Sequence, residues 1–300
     1  MSRLDAKNTV GMLLKEIKTI FHTELDVRYG ALEVASFFYL LIEHFLDLEK
    51  FVLALQPELV ISKEEEAPLF RALSQLKQDI PVQYIIGETE FMDLKFAVSP
   101  YVLIPRPETE DLVRWILEDY EALVATEKKT ISILDIGTGS GCIAISLAKN
   151  LKYCEVKALD ISSDALEVAK SNAVSNGVEV NFYTGDILTG VSEPKIKSKF
   201  DIIVSNPPYV RQLEKNKMHT NVLEHEPENA LFVSDSDPLL FYRAIAQFAE
   251  KHLVANGSLY LEINQYLAAE MVELLKSYHF TQIELRKDIF GNDRMMKVSW

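Results

Sequence analysis

From about residue 131 onward the chain alternates continuous apolar runs with amphipathic stretches, and no other feature constrains the fold as strongly. "ISILDIG", "EVKALD", "VNFYTGD", "FDIIVSN" and "GSLYLEIN" read as strands. "GCIAISLAKN", "SDALEVAKSNAVSN" and "PLLFYRAIAQFAEKHL" carry apolar residues at helical spacing between them. Strands that are apolar on both faces must be covered on both faces. The expected fold is therefore α/β, a parallel sheet flanked by helices. The "GND" between "FTQIELRKDIFG" and "RMMKVSW" predicts an antiparallel last strand. Ligands on such sheets bind beyond the carboxyl ends of the strands, and the motifs below fall at those ends.

The first eighty residues lack this alternation. "TVGMLLKEIKTIF" places Val10, Leu13, Leu14, Ile17, Ile20 and Phe21 on one helical stripe, and "ALEVASFFYLLIEHFL" reads as a more buried helix. "SKEEEAPLFRALSQLKQ" opens with Ser62 and Glu65 at capping-box spacing, while Pro68 predicts a late helix start or a kink. With no strand pattern, this region predicts a small all-α domain. Phe91, Leu94, Phe96 and Val98 then suggest a short hairpin, and Pro107, Glu108 and Glu110 mark a helix start. The expected organisation is a helical domain at 1–80, a hairpin linker at 81–106 and an α/β domain at 107–300.

At 300 residues, two domains are the reasonable expectation. A net charge of -14 argues against a general nucleic-acid binder, which shows a basic face. Cys142 and Cys154 fit neither a metal spacing nor a disulfide framework, which points to a reduced, cytoplasmic protein. The N-terminus has no signal-peptide apolar core, and "VASFFYLLI" is too short to span a bilayer. His219 and His225 share a loop without helical ligand spacing, so no metal is expected.

Gly137, Thr138, Gly139, Ser140 and Gly141 lie in "LDIGTGSGC", between a strand and a helix. Three alternate glycines exceed what a turn requires and predict a loop that a ligand approaches closely. The dinucleotide fingerprint would place its third glycine on Cys142; the pattern present is G-x-G-x-G after Asp135. Asp160 ends the next strand, where a carboxylate can accept from both hydroxyls of a ribose. NAD enzymes use the same device, so Asp160 alone leaves the nucleotide open. The glycine spacing resembles that of class I methyltransferases, which bind S-adenosylmethionine. On that resemblance the end of the third strand contacts adenine, with Asp186 accepting from the exocyclic amine and Ile187 packing on the ring.

In "SNPPYV" Asn206 is held between an apolar strand and a rigid Pro207-Pro208 corner. Pro207 pushes Asn206 into an extended conformation, so its side-chain carbonyl can point at the site. That oxygen and the backbone carbonyl of Pro207 can both accept from one NH2 group, holding a planar nitrogen in line with a methyl donor. Positioning of this kind contributes up to about 7 kcal/mol. Tyr209 can stack on the planar group and exclude water. Asn206, Pro207 and Tyr209 are thus the expected catalytic residues, and Asn206, Pro207, Pro208 and Tyr209 the substrate clamp.

"NPPY" resembles the amino-methyltransferases that act on adenine in nucleic acids or on glutamine in proteins. The wider set "PVQYIIG", "LIPRPETE", "LDIGTGSGCIAISLA", "SNPPYV", "EHEPENALF" and "GNDRMMKV" resembles the HemK/PrmC family, from about residue 80 to the C-terminus. The resemblance implies a class I S-adenosylmethionine-dependent, Rossmann-like sheet with a helical N-terminal domain. It implies methylation of the glutamine side-chain amide in the Gly-Gly-Gln loop of peptide chain release factors. The cofactor contacts it implies are Gly137 to Gly141, Asp160, Ile187 and Asn206, with the N-terminal domain recognising the release factor. No membrane and no direct nucleic-acid partner are expected. The chain departs from the family at Ile187, where an aromatic residue is common, and at His225, where tyrosine is common. Arg106 reads either as a family motif residue or as an ion-pair anchor between domains. The stretch from Arg211 to Asp237 reads as a long polar loop placed to cover the substrate. The alternatives are an adenine-type nucleic-acid methyltransferase with the same corner, a non-catalytic cofactor-binding subunit, and a dehydrogenase that the glycine spacing undercuts.

Overall fold

Leu14, Ile17, Phe21 and Leu25 recur at helical spacing and are all fully buried in α1 (Leu14–Tyr29). α2 (Ala31–Leu46) packs against it through Phe38, whose ring meets Phe21 edge to face at 5.5 Å. α3 (Val52–Leu55), α4 (Lys63–Leu76) and α5 (Val82–Ile86) share this core. The computed structural model describes residues 11–127, 129–189, 196, 199–217 and 220–300, so Val10 and His219 lie outside the described residues.

Two details differ from the sequence reading. The Ser62 side chain accepts from Glu65 N while Glu65 accepts from Ser62 N, so α4 starts at Lys63 and runs through Pro68. The completed capping box outweighs the one intrahelical bond that proline removes. In addition, β1 (Met12–Leu13) pairs antiparallel with β2 (Val60–Ile61) in the otherwise helical region. Two-residue strands are too short for side-chain alternation to reveal them.

The chain divides into two compact units after Ile86. The larger unit opens with the hairpin β3 (Glu88–Phe91) and β4 (Leu94–Ala97). Phe91 and Phe96 pack in one core with Leu112, Val113 and Ile116 of α6 (Pro107–Glu127). There follow β5 (Ile131–Ile136), α7 (Cys142–Asn150), β6 (Cys154–Asp160), α8 (Ser163–Asn176), β7 (Asn181–Thr184) and β8 (Phe200–Ser205). After β9 (Val210–Arg211) and a 3-10 turn at Gln212–Lys217 come α9 (Thr220–His225), α10 (Glu228–Leu231) and β10 (Phe232–Val233). The chain continues through α11 (Leu240–His252), β11 (Leu253–Glu262), α12 (Ala268–Ser277), β12 (Gln282–Lys287) and β13 (Asp293–Ser299). The stretch from Arg211 to Asp237 is therefore no plain loop. β9 and β10 pair in parallel and short helices fill the span, each too brief to show a period in the sequence.

The main sheet has seven strands in the order β12-β13-β11-β8-β5-β6-β7. β11, β8, β5, β6 and β7 are parallel, and β13 enters antiparallel between β11 and β12. Both faces are buried as expected: on β5, Ile133 belongs to one core and Leu134 to the other. From β5 the chain adds β6 and β7 on one side and then β8 and β11 on the other, and this switch opens a crevice beyond the carboxyl ends of β5 and β8. No helix among the described residues is long and apolar enough to cross a membrane.

Candidate active site

The glycine loop leaves β5 at this crevice. Gly137 N and Thr138 N donate to Leu159 O at 2.8 and 3.1 Å. Buried Ser205 donates to Ile136 O at 2.6 Å, joining the ends of β8 and β5. Asn172 of α8 donates to Ser140 O at 2.9 Å and bonds both backbone groups of Ala97. The loop is thus tied from three sides. Gly139 has φ +55, and a Cβ there would meet no atom within 4 Å. Gly141 has φ +82, and its Cβ would lie 2.8 Å from Ile145 Cδ1. The first glycine leaves space open toward the cavity; the second allows α7 to pack on α8.

Asp135 beneath the loop is fully buried and accepts from Thr138 Oγ1 at 2.6 Å and Ala144 N at 3.3 Å. Burial pushes its carboxyl up to about 7, against the pull of those two donors. Asp160 accepts from Gly139 N at 2.8 Å and Ser162 N at 2.9 Å. Burial raises its pKa, opposed by those amides. A carboxylate has about four acceptor positions, so Asp160 keeps capacity for a ligand's hydroxyls. Asp186 accepts from Leu188 N at 2.8 Å.

One cavity brings most of the expected residues together. Gly137, Thr138, Gly139, Ser140, Asp160, Asp186, Ile187, Asn206, Pro207 and Pro208 line it, with Tyr101, Thr109 and Phe241. Two expected residues lie apart from its lining. Gly141 is behind the loop, against Ile145 and Ala169. Tyr209 borders a neighbouring cavity, shared with Asn206, Pro207 and Val210.

Behind the Asn206–Tyr209 corner is a network the sequence reading missed. Buried Glu262, the last residue of β11, accepts from Tyr209 Oη at 2.8 Å and from Thr109 Oγ1 at 2.6 Å. Asn206 Nδ2 in turn donates to Thr109 Oγ1 at 3.2 Å. The Arg294 guanidinium lies 5.8 Å from the Tyr209 ring and is paired with Asp288. Asn264 donates to Tyr209 O at 3.0 Å and to Glu214 at 2.9 Å. Burial raises the Glu262 carboxyl, opposed by the hydrogen bonds from Thr109 and Tyr209 and by the Arg294 charge. The Tyr209 phenol is pushed well above its ordinary value, first by burial and then by the Glu262 charge. A charged residue closing an apolar strand, as Glu262 does, was the available signal.

The sequence leaves Arg106 open between a family motif residue and an ion-pair anchor between domains. Arg106 pairs at 2.5 Å with Glu226, which also accepts from Ile104 N at 3.2 Å. Both residues belong to the larger unit, so this ion pair is not an anchor between domains. The "LIPRPETE" and "EHEPENALF" motifs meet through it. Among the described residues no cluster of three or more His, Cys, Asp or Glu side chains could hold a metal ion.

Residues 33–87 match the family model described as PrmC N-terminal domain, and residues 120–234 match that described as Methyltransferase small domain. The release factor glutamine methyltransferase of Flavobacterium psychrophilum is 50% identical over 289 residues, covering 96% of this chain and 100% of that protein. That of Bacteroides thetaiotaomicron is 38% identical, covering 95% of this chain and 100% of its own length. The 16S rRNA N2 methyltransferase of T. thermophilus, solved in complex with AdoMet and guanosine, shares the fold. It superposes with a TM-score of 0.50 at 18% identity, over 71% of this chain and 49% of that one. Identity of that order over the whole of a relative's length decides the matter, and the chain belongs to the release factor glutamine methyltransferase family.

Proposed function

We infer that this chain transfers the methyl group of S-adenosylmethionine to the side-chain amide nitrogen of the glutamine in the Gly-Gly-Gln loop of peptide chain release factors. The observation that carries the reading is the convergence of the glycine loop, Asp160 and the Asn206–Pro208 corner on one cavity at the switch point of the sheet. The residues present fit the donor. Open space where a Gly139 Cβ would stand admits a ligand, and Asp160 retains acceptor positions for ribose hydroxyls. Asp186 and Ile187 line the part of the cavity assigned to adenine.

When bound, S-adenosylmethionine supplies an electrophilic methyl group carried on a sulfonium. Asn206 Oδ1 and the Pro207 carbonyl accept from the two N–H groups of the substrate amide and hold its nitrogen toward that methyl. They also favour the positive charge that develops as the nitrogen gains its new carbon bond, a preorganised electrostatic contribution. The methylated nitrogen then loses a proton to solvent, so no strong base is needed. Tyr209, fixed by Glu262, walls the substrate side of the corner. The helical domain at 1–80 grips the release factor away from its reactive loop. The enzyme works in the cytoplasm on protein, and a net charge of -14 supports the absence of a nucleic-acid partner.

The test is transfer of labelled methyl to purified release factor, beside its loop Gln→Ala variant and the Asn206→Ala enzyme. Label on wild-type factor alone, lost in both variants, is expected. Label on DNA or RNA and none on release factor would replace the substrate.

A further inference from the structure

A primary amide is nearly symmetric in shape, and rotation by half a turn exchanges its acceptor for two donors. An Asn206 turned the wrong way would present N–H to an incoming N–H and repel the group it must hold. Something has to fix the orientation. The extended backbone before Pro207 fixes where the side chain starts but not which way its amide faces.

The hydrogen bonds behind the corner supply a polarity. In its ionised form, which the Thr109 and Tyr209 hydroxyls and the Arg294 charge favour against burial, Glu262 can only accept. The one hydroxyl proton of Thr109 goes to Glu262 Oε2 at 2.6 Å, so Thr109 Oγ1 has only lone pairs left to offer. Asn206 must therefore turn its NH2 toward Thr109, where the contact is 3.2 Å, leaving Oδ1 for the substrate. The other oxygen of Glu262 takes the Tyr209 hydroxyl at 2.8 Å, so one carboxylate restrains both ends of the corner. Glu262 and Thr109 are 1% and 2% exposed, which keeps water from substituting for either partner.

We propose that Glu262 and Thr109 are positioning residues: a carboxylate-to-hydroxyl relay that sets the Asn206 amide with its oxygen toward the substrate nitrogen. This rests on the amide-methylation reading above. The relay contacts no reacting atom. It acts through Asn206, so its loss should lower kcat at saturating cofactor while sparing the KM for the protein substrate, whose docking rests mostly on other surface.

The experiment compares wild type with Thr109→Val, Thr109→Ser and Glu262→Gln. The readouts are methyl transfer to release factor, calorimetric binding of S-adenosylhomocysteine, and thermal unfolding. Valine keeps the shape of threonine and removes the hydroxyl, and kcat is expected to fall roughly 10²-fold, the loss typical of a misoriented reacting group. At saturating cofactor, KM for the protein substrate should stay within about twofold of wild type. Serine restores the hydroxyl and most of kcat. Glu262→Gln can face Thr109 with its oxygen and keep the polarity or with its NH2 and reverse it, so it should retain part of kcat with its melting temperature close to wild type. If valine prevents folding, Thr109→Ala removes the hydroxyl in its place. Wild-type kcat in Thr109→Val, a serine variant as impaired as valine, or a loss abolished at saturating cofactor would each overturn the relay. Should wild type methylate a nucleic-acid amine instead, the release-factor reading fails, and the same variants test the relay on that amine.

Discussion

Gly139 and Gly141 are two residues apart in one loop, and the structure assigns them opposite penalties for the same methyl group. Gly141→Ala forces alanine to φ +82 and places its Cβ 2.8 Å from Ile145 Cδ1 and 3.2 Å from Ala169 Cβ. The left-handed backbone costs roughly 1–2 kcal/mol for a residue with a Cβ. Overpacking between helices adds about 1–3 kcal/mol. The expected loss of stability is therefore roughly 2–5 kcal/mol.

Gly139→Ala carries only the backbone penalty, because its Cβ meets no protein atom within 4 Å, and its N–H still donates to Asp160. Its methyl would occupy space at the cavity that the cofactor needs. An overlap of about 1–3 kcal/mol weakens binding on the order of 10- to 100-fold. Urea unfolding and calorimetric titration with S-adenosylhomocysteine separate the two effects. Gly141→Ala should lower the urea midpoint substantially more than Gly139→Ala, while Gly139→Ala should lose the greater affinity. Equal destabilisation by both, or affinity retained in Gly139→Ala, would refute the division of labour between the two glycines.

Two further outcomes follow from buried carboxylates. Arg106→Met leaves Glu226, whose side chain is 1% exposed, without its cation. It should cost about 3 kcal/mol in urea unfolding, the low end for a buried pair because Arg106 is a third exposed, and adding Glu226→Gln should recover part of it. Asp135 titrates from 3.8 when unfolded to about 7 when folded, so over that interval the folded state binds the extra proton. Stability from this group is thus present below pH 4 and lost as pH rises toward 7, by an amount on the order of 4 kcal/mol. Urea midpoints measured from pH 4 to 8 should therefore fall less in Asp135→Asn than in wild type.

What the sequence disclosed depended on how local the signal was. The central strands β5 and β8 were legible because burial on both faces leaves an unbroken apolar run, as in "FDIIV", and "GND" betrayed the antiparallel ending. Pairs such as β1 with β2 and β9 with β10 offer two residues each, too few for any period. That the glycine loop, Asp160 and the Asn206 corner gather at one cavity was legible because each is a short contiguous motif whose position after a strand is fixed by topology. The Thr109–Glu262 bond joins residues 153 positions apart, and nothing local to either motif announces the other. Arg106 and Glu226, 120 apart, were each noticed within a motif, yet their pairing with one another was not.

The carboxylates themselves separate site from scaffold. Asp135, Asp160 and Glu262 stand at or next to the carboxyl ends of β5, β6 and β11, and in all three burial wins, so each pKa is raised. Asp288 has a fully buried side chain too, yet there the amides of Asn292 and Phe290 and the Arg294 guanidinium overcome burial and hold it low. Asp288 is thus a satisfied structural acid that shapes the turn before β13. The three strand-end acids are less fully compensated, and buried charge without full compensation persists where it has a task. Asp135 supports the floor of the glycine loop, Asp160 retains lone pairs beside Gly139, and Glu262 orients the corner. Replacing any of them with an apolar residue would leave its donors unpaired and remove a fixed acceptor around which the pocket is organised. On that argument the raised carboxylates of these strand ends bear on the proposed site, and the lowered Asp288 on the turn alone.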